Sequence, residues 1–353
     1  MASIYKPLGP NDITTVRDLL HEAIPVTGTL VSGTYGDLNI KNYTPNEELF
    51  QSVYDYPFLS SSANHIFDLS AGFSPQSSLS GTAGKKMEAQ KLNIYNELSM
   101  LLAGFNESGS IRQFDRDGDL AGGSKLKDVF FINFSRLLVK DEIQKQTFTV
   151  QLLTGSTVSD PTNVKTISDY GARTAYRTNS PVGEYGILYT SSASPVVAGT
   201  GVGLIYYQAG IAVLTASVFD GNAASYIGNN GAGGTTSNYE TVSKLLVSAS
   251  VSGCCDALRN RLHNISFNNT TEINSTIYFC RANFNEYNYS SNPTYLSASQ
   301  IRVKSNAQEM PRAYITSVGL YNSNSELLAV GKLSAPLQKD PTDEVVIRVR
   351  LDY

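Results

Sequence analysis

Tryptophan is absent from this 353-residue chain, cysteine and histidine occur three times each, and charged residues make up only 16% of it. Each shortage excludes something. Soluble domains carry roughly 25% charged residues, so the polarity of this surface rests on Ser, Thr, Asn and Tyr, as is common where neighbours bury much of a surface. The net charge is −4 and no basic block occurs, so the cationic footprint of a nucleic-acid partner is missing. Adjacent Cys254 and Cys255, with Cys280 beyond them, have no metal-ligand spacing and are expected to be reduced, buried thiols. His21, His65 and His263 stand far apart, in neither an HxH nor an HExxH pattern. No apolar run is long enough to span a membrane, and no basic-plus-apolar leader opens the sequence. The expectation is a chain folded in a cytoplasm, with neither membrane nor nucleic acid as partner. The lack of tryptophan also argues against a sugar platform, although 21 tyrosines offer a substitute.

Catalytic motifs are missing as well. Neither G-x-S-x-G nor G-x-x-x-x-G-K-[ST] occurs, and the Gly-rich GNNGAGGTTS from Gly228 has no lysine to cradle a phosphate. No catalytic, cofactor-binding or metal-ligating residue is assigned, no cofactor is expected, and the chain is read as a non-enzyme. One motif comes near a metal site. In FDRDGDLAGG, Asp115, Asp117 and Asp119 alternate like positions one, three and five of a calcium loop. The sixth position is Leu120 in place of the turn-making Gly, and the twelfth is Leu126 in place of a bidentate Glu, so the stretch is read as a solvated turn.

What is present points to a mainly β chain with a few helices, an α+β protein with antiparallel sheets and a β-sandwich-like core. Ile13, Val16, Leu19, Leu20 and Ala23 recur at helical spacing behind Asn11 and Asp12, which predicts an N-terminal amphipathic helix stopped by Pro25. From Asp37 to Ser80 periodicity is lost while Tyr43, Phe50, Tyr54, Tyr56, Phe58, Phe67 and Phe73 accumulate. Linkers are poor in aromatics, so this segment is expected to pack, either wrapped on its own domain or, the favoured reading, as an extended arm laid on a neighbouring subunit, with a hinge or loop at Ser74–Gly84. Met87, Ile94, Leu98 and Leu101, widened by Tyr95 and Leu102, predict a long helix over 85–103 that Gly104 ends. The expected division is therefore 1–80, helix plus arm, and 81–353, a β-rich body with a loop insertion at about 220–237.

Within that body VFFINFSRLLV (129–139) and 146–153 are expected to form an antiparallel pair, and 185–191 a strand. Residues 201–219 and 317–334 share a hairpin layout around polar turns. Residues 238–264 look helical in parts, and VVIRVRLDY (345–353) is a closing strand with both arginines on one face. The stretch 264–304, dense in Asn, Ser, Thr and Tyr, predicts a strand, an ordered polar loop and a second strand at 300–304. Its sequons at Asn264, Asn269 and Asn274 mark only a polar region.

The runs IYFCRANFNEYNYSSNPTYLS and YITSVGLYNSNSELLAVGKLSAPLQKDPTDEVVIRVRLDY, with the opening MASIYKPLGPNDITTVRDLLHEAIPVTGT and the segment FQSVYDYPFLSSSANHIFDLSAG, resemble virion structural proteins of contractile-tailed, T-even-like phages. The likeness is nearest to those of marine cyanobacterial phages, covers both ends of the chain, and is weakest between Gly155 and Thr241. It implies a structural subunit of a baseplate or tail, assembled in the host cytoplasm into a virion. Its implied partners are other virion proteins and copies of itself. A neck or head-surface position is the variant of that reading. The alternative is a module binding host glycan through the Tyr- and Asn-rich loop at Phe284–Tyr295, and a tail-associated hydrolase is a third.

Overall fold

The computed structural model describes residues 5–23, 36–42, 49–81, 85–120, 122–154, 164–190, 200–219, 241–290, 296–297, 300–301, 306 and 308–353, with backbone alone at 21–23, 85, 296–297 and 300–301. The chain forms two compact units, residues 20–271 and residues 1–19 with 272–353. Its opening strands are β1 (Ile13–Ala23), β2 (Ile40–Asn42), β3 (Gln51–Tyr54) and β4 (His65–Phe73), followed by helix α1 (Lys85–Leu102). Next come β5 (Phe114–Asp115), β6 (Lys125–Leu126), β7 (Asp128–Phe134), α2 (Arg136–Val139), β8 (Glu142–Ile143), β9 (Thr149–Leu153) and β10 (Val164–Ser168). Then follow α3 (Ala172–Ala175), β11 (Arg177–Ser180), β12 (Gly183–Leu188), β13 (Gly203–Tyr206), β14 (Ile211–Thr215), α4 (Val242–Ser248), α5 (Val251–Arg261) and β15 (Leu262–Ser266). Last are β16 (Asn268–Ala282), β17 (Leu296–Ser297), β18 (Gln300–Ile301), β19 (Ala313–Tyr321), β20 (Leu327–Lys339) and β21 (Val345–Asp352). The fold is mainly β, of the α+β class, with antiparallel sheets.

The larger unit is built on an eight-stranded sheet in the order β11-β12-β13-β14-β7-β4-β3-β2. Its central strands are apolar throughout, and Val129, Phe130, Phe131 and Ile132 of β7 and all of β13 and β14 are buried. Continuous burial marks a sheet covered on both faces. On β4 the cover is α1 and α5. A Cβ on Gly72 would stand 2.8 Å from the Lys91 carbonyl oxygen and 3.1 Å from the Tyr95 nitrogen, so helix backbone lies directly on strand backbone. Ile94, Tyr95 and Leu102 of α1 face the core while Leu101 is exposed, which shifts the buried stripe by one position from the one expected. Lys91 completes that stripe. Its ammonium is wholly buried and donates to the carbonyls of Leu246 (2.5 Å) and Ala249 (2.6 Å) at the end of α4, where the helix dipole is negative. Gly104, at φ +77°, ends α1 as expected.

A three-stranded sheet, β10-β9-β15, joins the same core. Phe134 of β7 meets Phe148 and Phe267 with ring centroids 5.7 and 5.1 Å apart. Asp169, just beyond β10, accepts the backbone N–H groups of Gln146 (2.7 Å) and Phe148 (3.1 Å) and the Tyr207 hydroxyl (2.9 Å). It is 1% exposed, and burial pushes its carboxyl up to about 7 against the lowering effect of those donors.

Several expectations are corrected. Residues 13–23 form a strand: β1 pairs with β16, and Asp12, Arg17 and Asp18 make ion pairs to Arg281, Glu272 and Arg350. That pairing outweighs the helical spacing, and Ile13, Leu19 and Leu20 stay exposed. The described residues of 37–80 pack on their own domain and not as an arm, since β3 and β4 lie inside the eight-stranded sheet and Phe67 and Phe73 are core. Nor do residues 1–80 form a unit of their own. The run 129–139 breaks after Phe134 into the short α2, and 146–153 supplies β9 of the other sheet, so the two are not a pair. The similar hairpins β13–β14 and β19–β20 belong to different sheets. The loop at 220–237 lies outside the described residues.

Two outcomes follow. Gly72→Ala forces α1 off β4 and costs about 1–3 kcal/mol, read as a lower urea midpoint; an unchanged midpoint contradicts the close approach. Asp169 holds a proton in the folded chain where the unfolded chain has lost it. Its contribution is fully present below the ordinary value of 3.8 and is lost as pH rises through about 7. The stability advantage of the native chain over Asp169→Asn therefore shrinks between about pH 4 and about pH 7 in a denaturation series and is constant above that. An advantage that grows with pH refutes the assignment.

Candidate functional site

The smaller unit departs from the packing rules the larger one obeys. Its sheet is β1-β16-β21, with β16 and β21 antiparallel from Ser275↔Asp352 to Ala282↔Val345. Arg348 and Arg350 do share the exposed face of β21. Among the described residues the long hairpin β19–β20 pairs only with itself. Its turn is closed by Asn322, whose side-chain oxygen accepts the N–H groups of Asn324 (2.9 Å) and Glu326 (2.8 Å). Its register shifts between Ile315 and Ser317, opposite the stretch holding Pro336, which has no N–H to donate. Leu327, Leu328, Val330 and Leu337 of β20 are 54%, 68%, 59% and 40% exposed. A two-stranded ribbon is marginal in water, and the exposed apolar side chains on it make it a candidate interaction surface.

Beside the hairpin lies a cleft of about 870 Å³, lined by Tyr5, Tyr278, Tyr287, Tyr289, Tyr314 and Tyr321 among others. Tyr5 stacks on Tyr321 with ring centroids 4.3 Å apart. Charged groups at its edge are already paired: Lys6 with Glu286, and Arg281 with Asp12 at 2.7 Å. Each pair holds its carboxyl below the ordinary range through the hydrogen bond it makes. The 283–290 part of the expected polar loop supplies one wall; 291–295 lie outside the described residues. This loop is ordered by a buried cation that sequence reading missed. Lys339 is wholly buried, and its ammonium donates to the carbonyl of Asp340 (2.7 Å), the side chain of Asn288 (2.8 Å) and the carbonyl of Phe284 (3.3 Å). A lysine closing a strand gives no sequence signal that its head turns inward.

The remaining candidates lie apart. His65 bonds Asp68 at 2.8 Å, and Asp68 also accepts the Ser52 hydroxyl. His263 is half-buried in β15, and the His21 side chain is outside the description. Cys254 and Cys255 are free, buried thiols, as expected, whereas Cys280 is free but half-exposed. A polar cleft of about 760 Å³ in the larger unit is lined by Gln76, Gln113, Arg116, Lys125, Lys127 and Asp128 among others. Asp115, Asp117 and Asp119 converge, and among the described residues they are the one cluster of carboxylates, thiols or imidazoles able to hold a metal ion. Asp115 is 2% exposed, so the turn is not simply solvated.

Lys339→Met strips the Phe284–Tyr289 loop of its anchor and leaves part-buried oxygens without this donor, at a cost of about 1–3 kcal/mol. The expected readout is faster amide exchange confined to 283–290 together with the stability loss. Unchanged exchange there shows that the loop stands without the lysine.

No protein-family model, no curated protein and no solved structure matches this chain.

Proposed function

We propose that the chain is a non-enzymatic structural subunit of a contractile phage tail, in the baseplate or an adjacent tail position, working through contacts with other virion proteins and with copies of itself. The observation that carries this reading is the β19–β20 hairpin, which exposes Leu327, Leu328, Val330 and Leu337. Packed under a neighbour, each contributes up to about 1–2 kcal/mol of further burial, and obligate interfaces of this kind bury about 2,000 Å² or more. The resemblance of the C-terminal run YITSVGLYNSNSELLAVGKLS to virion structural proteins falls on this same hairpin. A neck or head-surface position is the variant. The low charge of the surface agrees with either. Among the described residues no helix is long and apolar enough to cross a membrane.

A second reading, recognition of host glycan, is favoured by the tyrosine-lined cleft, since aromatic faces carrying hydroxyl groups suit sugar rings.

The test is a double substitution on the hairpin, Leu328→Lys with Val330→Lys. Both side chains are largely exposed, so the variant folds with an unchanged melting temperature. It fails to enter particles in a complementation assay and sediments as a smaller species than the native chain. Normal incorporation removes the assembly reading. A glycan-array signal from the native chain that Tyr289→Ala abolishes installs recognition in its place.

A further inference from the structure

We infer that the Asp115–Leu120 loop is a calcium-binding site. It sits in the larger unit and owes nothing to the assembly surface. β5 and β6 close the loop through Phe114↔Leu126 and Asp115↔Lys125, with Arg116 N–H donating to Ser124 O at 3.2 Å. Within it Asp115, Asp117 and Asp119 each place one carboxylate oxygen within 4.8 Å of the others. Oxygens bound to one calcium ion at 2.3–2.6 Å are separated by at most about 5 Å, so the three are close enough together to share one ion.

The independent observation is the state of Asp115. Its side chain is 2% exposed, and one oxygen, Oδ2, accepts Leu120 N–H at 2.8 Å and the Lys125 ammonium at 3.0 Å. The other, Oδ1, is buried and has no hydrogen-bond partner. A bare, buried carboxylate oxygen is costly unless a cation fills its lone pairs.

Leu120 removes the objection raised by the sequence. The sixth position of a calcium loop is normally Gly because the backbone must reverse there. Leu120 adopts φ +61° and Gly118 φ +71°, so the chain makes the reversal with a leucine. The twelfth position, Leu126, offers no bidentate carboxylate. Water completes the shell, which places the affinity on the order of 10⁻⁴–10⁻³ M, the weak end of such loops. Magnesium, which demands near-ideal octahedral geometry at shorter distances, is disfavoured by a loop fixed by its own backbone hydrogen bonds.

The experiment uses the full chain stripped with chelator. At ~10 mM calcium and a Kd of ~1 mM, the folding equilibrium constant rises about elevenfold, read as a calcium-dependent gain in thermal stability that equal magnesium does not give. Terbium, a calcium mimic, reports the location. The chain has no tryptophan, and the Tyr185 hydroxyl lies 3.2 Å from Gly118 O, beside the loop, so tyrosine-sensitised terbium emission appears and calcium displaces it. Asp117→Asn loses both responses while keeping the chelator-state stability of the native chain. Absence of any calcium-dependent gain overturns the site, as does a gain that Asp117→Asn retains. Should Asp117→Asn fold poorly, Asp119→Asn is read the same way.

Discussion

The backbone contact at Gly72 is the constraint on which the larger unit depends. A sheet strand and a helix approach this closely only where the strand carries no side chain, and β4 carries none at the point where the Lys91 carbonyl and the Tyr95 amide press on it. From that contact the rest is positioned. Tyr95 reaches over to donate its hydroxyl to Leu126 O at 2.8 Å, which fixes β6 and with it the acidic loop. Lys91 turns inward to the end of α4, and α4 leads into α5, whose Cys255 thiol lies 3.2 Å from Leu69 O of β4. One small residue thus ties sheet, helices and loop into a single core.

Sequence reading succeeded where one element decides its own structure. α1 was legible because its stripe and its Gly104 stop are local, and β21 because strict alternation is visible without its partner. β1 was not legible: Ile13, Val16, Leu19 and Leu20 have helical spacing, and only β16, far along the chain, makes them a strand. The segment 37–80 was misread for a related reason. A strand buried on both faces shows no alternation, so β4 looked irregular and its aromatics looked like an arm. Asp115 illustrates a third kind of miss. The residue types at positions six and twelve argued against an ion, whereas the backbone at Leu120 and the bare Oδ1 are properties that residue types do not carry.

Buried lysines mark a further limit. Lys91 and Lys339 are each wholly buried and each solvated by carbonyl or amide oxygens instead of carboxylates. Lysine is almost never fully buried unless it is paired. Here both cations hold polypeptide in place: one the end of a helix, the other a loop of the tyrosine cleft. Charge scarcity in the composition therefore understates the structural use of charge, because the few lysines turned inward order segments that lack apolar cores of their own.

In the smaller unit the assembly and recognition readings meet on one residue. Leu328 belongs to the exposed face of β20 and also lines the tyrosine cleft, as do Tyr314 and Tyr321 of β19. A neighbouring subunit that covers Leu328 takes a wall of the cleft out of solvent. A glycan seated among those tyrosines, in turn, needs that wall open. The two uses exclude each other in any one state of the molecule. The burial term is large for Leu327, Leu328 and Val330 together, whereas a sugar recovers little from side chains without hydroxyl groups. On the proposed assembly reading the hairpin is therefore better matched to protein than to carbohydrate.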